Sequence, residues 1–226
     1  MRYNGVFLMI GILIIQCKIP TFSKYTSSIN TPIGTTIENN YIIDSIIKPY
    51  SDTLHGAMDQ IIGFCPMFIE KYKPSSALTN LMADAIAQTA INEGYPIDLC
   101  ILNYGGIRST LDSGDITLGE TFELMPFDNQ ITVLQLSAEL LKDCIELIRM
   151  KGGEPISSGY YKLRFPLQKQ YYLVAVNDYM ADGGDGYHFL SKSEKRWDTN
   201  IKIRDGLIHY IKQNNPLKLD FKNRTL

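Results

Sequence analysis

The sequence predicts a single mixed α/β domain, and three observations predict it. Stretches with apolar residues at helical spacing alternate along the chain with short runs rich in β-branched and aromatic residues. Two of those runs end in glycine-rich turns. No segment repeats, which sets solenoids and propellers aside. The 226 residues are 45% hydrophobic, an ordinary globular composition with room for one good core. Their 22 basic and 24 acidic side chains nearly balance, which argues against a nucleic-acid partner, because a phosphate-backbone binder shows a basic surplus.

Residues 1–17 read as a targeting segment. Arg2 supplies a positive start, and the apolar run from Val6 to Ile15 is too short to span a bilayer comfortably. Cys17 follows it directly and resembles the lipidated cysteine of bacterial lipoproteins, which would anchor the chain to the cell envelope. Gln16 departs from the small residue that such boxes carry, and a plain secretory signal or a short uncleaved anchor is the other reading. Residues 18–40, rich in Ser, Thr, Asn and Pro, have the composition of a linker. The domain is expected over residues 41–214 and a polar tail over 215–226.

Within the domain, Ile42, Ile43, Ile46 and Ile47 mark a helical face that Pro49 is expected to end. A strand-like segment follows at residues 60–72. Ser75 or Ser76 then caps a helix with Leu78, Leu81, Met82, Ala85 and Ile86 on one face, Asn80, Asp84 and Gln88 on the other, and Gly94 as its stop. A short buried strand is expected at 97–102, a turn at 112–115, a short helix at 118–124 and a strand at 130–136. Ser137 caps an amphipathic helix that buries Leu140, Leu141, Cys144, Leu147 and Ile148 and ends at Gly152-Gly153. Two strands at 160–165 and 171–176 and a last helix at 204–213 complete the order. Cys65, Cys100 and Cys144 lie in apolar surroundings without metal-ligand spacing and read as buried small hydrophobes.

The chemistry gathers in two turns. The first is Asn103-Tyr-Gly-Gly-Ile-Arg108, where Gly105 and Gly106 allow close backbone approach. Arg108 offers a planar fork of donors to a phosphate or carboxylate, and Asn103 can donate and accept against a heterocycle edge. The second is Tyr179-Met-Ala-Asp-Gly-Gly-Asp185. There Gly183 and Gly184 shape a tight backbone, and the Asp185 carboxylate suits either a sugar diol or a hard cation. Met125-Pro-Phe127 adds an aromatic face. A calcium loop built from Asp178, Asp182 and Asp185 lacks the bidentate glutamate at the twelfth position of an EF-hand.

These three motifs, in this order, resemble the C-terminal domain of the 5'-nucleotidase family, which includes periplasmic UDP-sugar hydrolases. The resemblance covers about residues 41–213 and implies a layered α-β-β-α domain. It also implies that Asn103 and Arg108 hold the base edge and the ribose-phosphate side of a nucleotide or nucleoside. Phe127 and Tyr179 would sandwich the base, and Asp185 would take the ribose hydroxyls. Two departures stand out: Tyr72 occupies the place of an expected arginine and Ser75 that of a glutamate, leaving Lys71 or Lys73 as substitutes. The family's two-metal phosphoester hydrolysis belongs to a separate domain rich in Asp, His and Asn ligands. Here only His55, His188 and His209 occur, scattered, so no cofactor is expected on this chain and divalent metals only on a partner. The resemblance therefore implies a nucleotide-recognition half that acts in nucleotide catabolism with a separate metallophosphoesterase subunit in the periplasm or envelope. A non-catalytic surface nucleoside or nucleotide binder and a domain kept for packing alone are the competing expectations.

Overall fold

The computed structural model describes residues 34 and 40–225, and among them the alternating pattern becomes six strands and six α-helices. The targeting segment with Cys17, and nearly all of the expected linker, lie outside the described residues. In chain order the elements are α1 (Tyr41–Met58), β1 (Ile61–Cys65), α2 (Ala77–Asn92), β2 (Leu99–Cys100), β3 (Gly114–Thr117), α3 (Leu118–Leu124), β4 (Gln130–Ser137), α4 (Ala138–Met150), β5 (Tyr171–Asn177), α5 (Asp178–Ala181), β6 (Lys195–Lys202) and α6 (Ile203–Gln213).

Side-chain caps start the helices where the sequence indicates. Ser76 accepts from the Thr79 amide and Ser137 from the Leu140 amide, and Thr117 with Glu120 forms a reciprocal capping box on α3. β2, β5, β4 and β6 lie side by side in that order. β2 runs parallel to β5, and β4 runs antiparallel to both of its neighbours. Alternation along the strands divides the core between the two faces of this sheet. Ile131, Val133 and Ala175 pack with Leu81, Ile86, Leu207 and Ile211 of α2 and α6. On the other face Leu134, Leu136, Val174 and Val176 meet Leu141, Cys144, Ile145 and Ile148 of α4. β1 and β3 form a separate antiparallel pair. The mixed α/β class is thus the observed one, and the three cysteines are free and buried.

Several expectations are corrected. Pro49 lies inside α1, which runs on to Met58; a proline removes one amide and does not forbid helix beyond it, and Asn40 caps the start by accepting from the Ile42 amide. The strand expected at 160–165 is instead a 3-10 turn, Ser158–Lys162. A Cβ on Gly159 would come within 2.2 Å of the Asp98 carbonyl oxygen, so the chain crosses the end of β2 too closely to pair with it. Residues 155–157 cover that edge instead: the Ser157 amide donates to Cys100 and its hydroxyl accepts from Cys100. β6, Lys-Arg-Trp-Asp-Thr-Asn-Ile-Lys, went unforeseen because it is an edge strand whose charges replace apolar alternation.

The C-terminal tail is not a free polar segment. Leu217 is buried, and Arg224 is 1% exposed with bonds to both carboxylate oxygens of Asp84, to Asp220 and to the Ile156 carbonyl. Asn80, placed by the sequence on a polar outer face, is buried and donates to the carbonyls of Asp220 and Lys222. The Asp84 and Asp220 side chains keep 22% and 33% exposure, so their charges remain hydrated once the guanidinium is gone. Arg224→Ala is therefore expected to cost about 3 kcal/mol, the low end for breaking a buried pair. Urea unfolding reads this, and a loss below about 0.5 kcal/mol would show that the tail contributes nothing.

Candidate functional site

Strand geometry alone gathers the three motifs. Leu99 and Cys100 of β2 lie beside Val174 and Ala175 of β5, so both strands leave the sheet at the same end. Three residues after Cys100 comes Asn103, and two after Ala175 comes Asn177; the Asn177 Nδ2 donates to the Asn103 Oδ1 at 2.7 Å. β4 runs the other way, with Ile131 opposite Asn177, so the segment 125–129 that leads into it arrives at that end too. Crevices of this kind, at the carboxyl ends of parallel strands, are where open α/β sheets hold ligands.

The resulting hollow, of about 360 Å³, is lined by Asn103, Gly105, Gly106, Arg108, Met125, Phe127, Asn129, Asn177, Tyr179 and Asp185. Seven of the nine sequence-predicted site residues are among them. Gly183 and Gly184 stand behind the wall and act through shape. Gly183 adopts φ +95°, and a Cβ on Gly184 would lie 2.4 to 2.6 Å from the Tyr179 ring, so that ring lies directly against bare backbone. Asp185 is held in the left-handed region at φ 54°. Its two oxygens accept separately, from Asn103 Nδ2 at 2.9 Å and from the Tyr179 hydroxyl at 3.1 Å. A chain of donors and acceptors therefore runs Asn177, Asn103, Asp185, Tyr179. Asn177 also caps α5 by accepting from the Met180 amide.

On the opposite wall, the Arg108 amide donates to the Leu124 carbonyl at the end of α3, and its guanidinium sits 5.9 Å from the centre of the Phe127 ring. Phe127 and Tyr179 are 44% and 46% exposed, flat faces open to a ligand. The loop carrying Phe127 is fixed from behind by Arg204, which sequence reasoning missed. Its guanidinium donates to the Met125 carbonyl at 3.0 Å, pairs with Asp128 at 2.6 Å and lies 4.0 Å from the Phe122 ring centre. Nothing local marks an arginine at the head of α6 as a loop anchor. Asn129 was likewise unforeseen; it lines the hollow, and among the described residues its side chain has no hydrogen-bond partner.

Lys71 and Lys73 do not line the hollow. Lys71 donates to the carbonyls of Ile107 and Tyr104 beneath the first turn, and Lys73 donates to the Lys151 carbonyl. Burial, and then the nearby charge of Arg108, hold the Lys71 ammonium below its usual range. Ser75 serves the tail, accepting from the Arg224 amide. The acidic residues of the second turn have separate partners: Asp182 pairs with Arg196, Asp178 accepts from the Tyr179 amide, and Asp185 is engaged as above. Among the described residues no group of three or more His, Cys, Asp and Glu converges on a point that could hold a metal ion. No helix among them is long and apolar enough to cross a membrane.

Residues 61–167 match the signature of the 5'-nucleotidase, C-terminal domain family. The chain is 24% identical over 195 residues to the trifunctional nucleotide phosphoesterase protein YfkN of Bacillus subtilis, covering 72% of this chain and 13% of that one. To a snake venom 5'-nucleotidase of Macrovipera lebetinus it is 28% identical over 169 residues, 56% of this chain and 41% of the relative. The fold is shared with a 5'-nucleotidase precursor from Thermus thermophilus, at TM-score 0.68 and 22% identity over 81% of this chain and 42% of that one. It is also shared with a putative 5'-nucleotidase of Staphylococcus aureus, at TM-score 0.60 and 18% identity over 82% and 44%. The chain thus spans less than half the length of each.

The glycine pair of the first turn separates two geometric roles. A Cβ on Gly106 would lie 2.9 Å from Asn103 Oδ1, whereas on Gly105 the nearest atom is 3.8 Å away. Gly106→Ala is expected to dislodge the Asn103 amide and cost about 1 to 3 kcal/mol. Gly105→Ala should stay within about 0.5 kcal/mol of wild type. Equal unfolding midpoints for the two variants would show that the Asn103 amide does not depend on that close approach.

Proposed function

Residues 61–167 carry a 5'-nucleotidase C-terminal domain, and from that premise we propose that the hollow binds a nucleotide or nucleoside for a hydrolase of this kind. The observation that carries the reading is the convergence of a carboxylate, a guanidinium and two half-exposed rings on one cavity. The base lies against Phe127 and Tyr179, a stacking worth about 1 to 3 kcal/mol per ring. Asp185 takes the ribose hydroxyls, each of its oxygens keeping a lone pair beyond the one used by Asn103 or Tyr179. Arg108, which has no carboxylate partner among the described residues, meets the phosphate side.

Asn103 spends its first hydrogen bonds on Asn177 and Asp185, so it acts mainly as a strut. Asn129, whose carboxamide has no partner among the described residues, is the amide left to meet a base edge. Phosphoester hydrolysis needs two clustered metals, and the described residues offer no such cluster. We assign that chemistry to a separate metallophosphoesterase chain, with export to the periplasm or envelope through residues 1–17 and lipidation at Cys17.

Calorimetry with AMP and adenosine tests the recognition half of this reading. Phe127→Ala should weaken both ligands by about 1 to 3 kcal/mol. Asp185→Ala should weaken both by about 1.5 to 3 kcal/mol, the worth of hydrogen bonds to a charged group, and Arg108→Ala should weaken AMP more than adenosine. Indifference of both affinities to all three substitutions would sink the assignment. Appreciable affinity for adenosine with no phosphoesterase present would favour a stand-alone binder over a split enzyme.

A further inference from the structure

Behind the hollow lies a buried carboxylate that the recognition chemistry does not use. Glu154 is 3% exposed, and each of its oxygens goes to a different turn of the site. Oε2 accepts from the backbone amide of Tyr104, the first residue of the 3-10 turn Tyr104–Gly106. Oε1 accepts from the Tyr187 hydroxyl at 3.5 Å and lies 3.3 Å from the Lys151 ammonium. Tyr187 directly follows the Gly184–Gly186 turn, is fully buried, and has no other hydrogen-bond partner for its hydroxyl among the described residues. A buried phenol without an acceptor would be costly, so the carboxylate satisfies one orphan from each turn.

The approach is built into the end of α4. Gly153 has φ +118°, and a Cβ there would lie 2.3 Å from the Pro74 carbonyl oxygen, so only glycine lets the chain deliver residue 154 to this point. On the ligand side the same two turns are already tied by Asn103 and Asp185.

We propose that Glu154 is a positioning residue that holds the two glycine turns in register, acting on ligand through Tyr104 and Tyr187. The inference rests on the reading of the hollow as a nucleotide site. A carboxylate fits the task because it accepts at both ends, and its burial rigidifies the link. The charged and titratable groups that face it are Lys151, Lys73 and Tyr187. Burial pushes the Glu154 carboxyl above the usual range, and the Tyr104 amide and Lys151 pull it part of the way back.

Three substitutions in the full chain test the link. Glu154→Gln keeps a carbonyl for the Tyr104 amide and an NH2 for the Tyr187 oxygen, so AMP affinity should stay within a few-fold of wild type. Glu154→Leu strands both groups and should weaken AMP about tenfold. In the ligand-free protein it should also shift the NMR amide signals of Gly105, Gly106, Gly183 and Gly186 together. If Glu154→Leu fails to fold, Tyr187→Phe decides, because it cuts one arm at unchanged volume and should still move the Gly105 and Gly106 signals across the gap. Shifts confined to one turn in either variant overturn the proposal.

A pH series adds a readout that packing alone would not move. The folded chain holds the Glu154 proton more tightly than the unfolded chain, so stability falls as pH rises from the ordinary glutamate range through the raised pKa. Glu154→Gln should remove that slope, and an unchanged slope counts against the placement of Glu154. If wild type binds no AMP either alone or with a metallophosphoesterase chain present, the nucleotide reading fails, while the amide shifts still decide whether the two turns are tied.

Discussion

The 2.7 Å hydrogen bond from Asn177 to Asn103 is the contact on which the rest of the site depends. It exists because β2 and β5 run parallel and in register, so their last residues leave the sheet side by side. Parallel neighbours need long connections, and the chain between these two strands supplies both the Met125–Asn129 segment and α4. Each of those returns to the same end of the sheet. One strand pairing thus converts motifs separated by as many as 82 positions, Asn103 and Asp185, into hydrogen-bond neighbours. Sheet and site are in that sense one structure, since slipping β2 by a residue would turn Asn103 away from Asn177.

Charge is distributed with similar economy. Arg196, Arg204 and Arg224 each have a carboxylate within 3.0 Å and serve the fold. Arg108 has none among the described residues; its guanidinium reaches only the Gly105 carbonyl at 3.4 Å and the edge of an aromatic face. An unpaired guanidinium beside a lysine whose ammonium is already depressed makes a local positive potential, although the whole chain is slightly acidic. An anionic ligand group would relieve that repulsion, whereas a cation in the same place would worsen it.

Much of this was legible in the sequence, and the residues that were not have a common physical reason. Period and capping signals mark α2 and α4, because a helix start is a local event that Ser76 or Ser137 announces within three residues, and period alone marks α6. The glycine turns were legible because bare backbone next to Asn, Arg or Asp has few other uses. β6 was not, since an edge strand owes its place to the ladder offered by β4 and its own residues carry little apolar alternation. Asn80, Glu154, Arg204 and Arg224 share that difficulty. Each is a polar residue buried by partners far along the chain, such as the Asp84 that Arg224 reaches across 140 positions. No window of sequence contains both members of such a pair. The Tyr160–Phe165 segment failed for the opposite reason: its composition is that of a strand, but the β2 edge was already covered by residues 155–157.

The same accounting of partners bears on selectivity. On the proposed reading, stacking against Phe127 and Tyr179 would favour flat ligands without distinguishing one base from another, because every base has a π-face. Discrimination must come from hydrogen-bonding groups with unspent capacity. Asn177 has donated to Asn103 and accepted from Met180, and Asn103 has donated to Asp185. Those amides are committed to holding the two turns together. Asn129 carries no such obligation and stands two residues from the Phe127 ring, on a loop that Arg204 fixes from behind. Rigid backbone with a free carboxamide at its tip is the arrangement in which one side chain can be exchanged without disturbing the fold. On the proposed reading, base preference would fall to Asn129, apart from the residues that build the hollow.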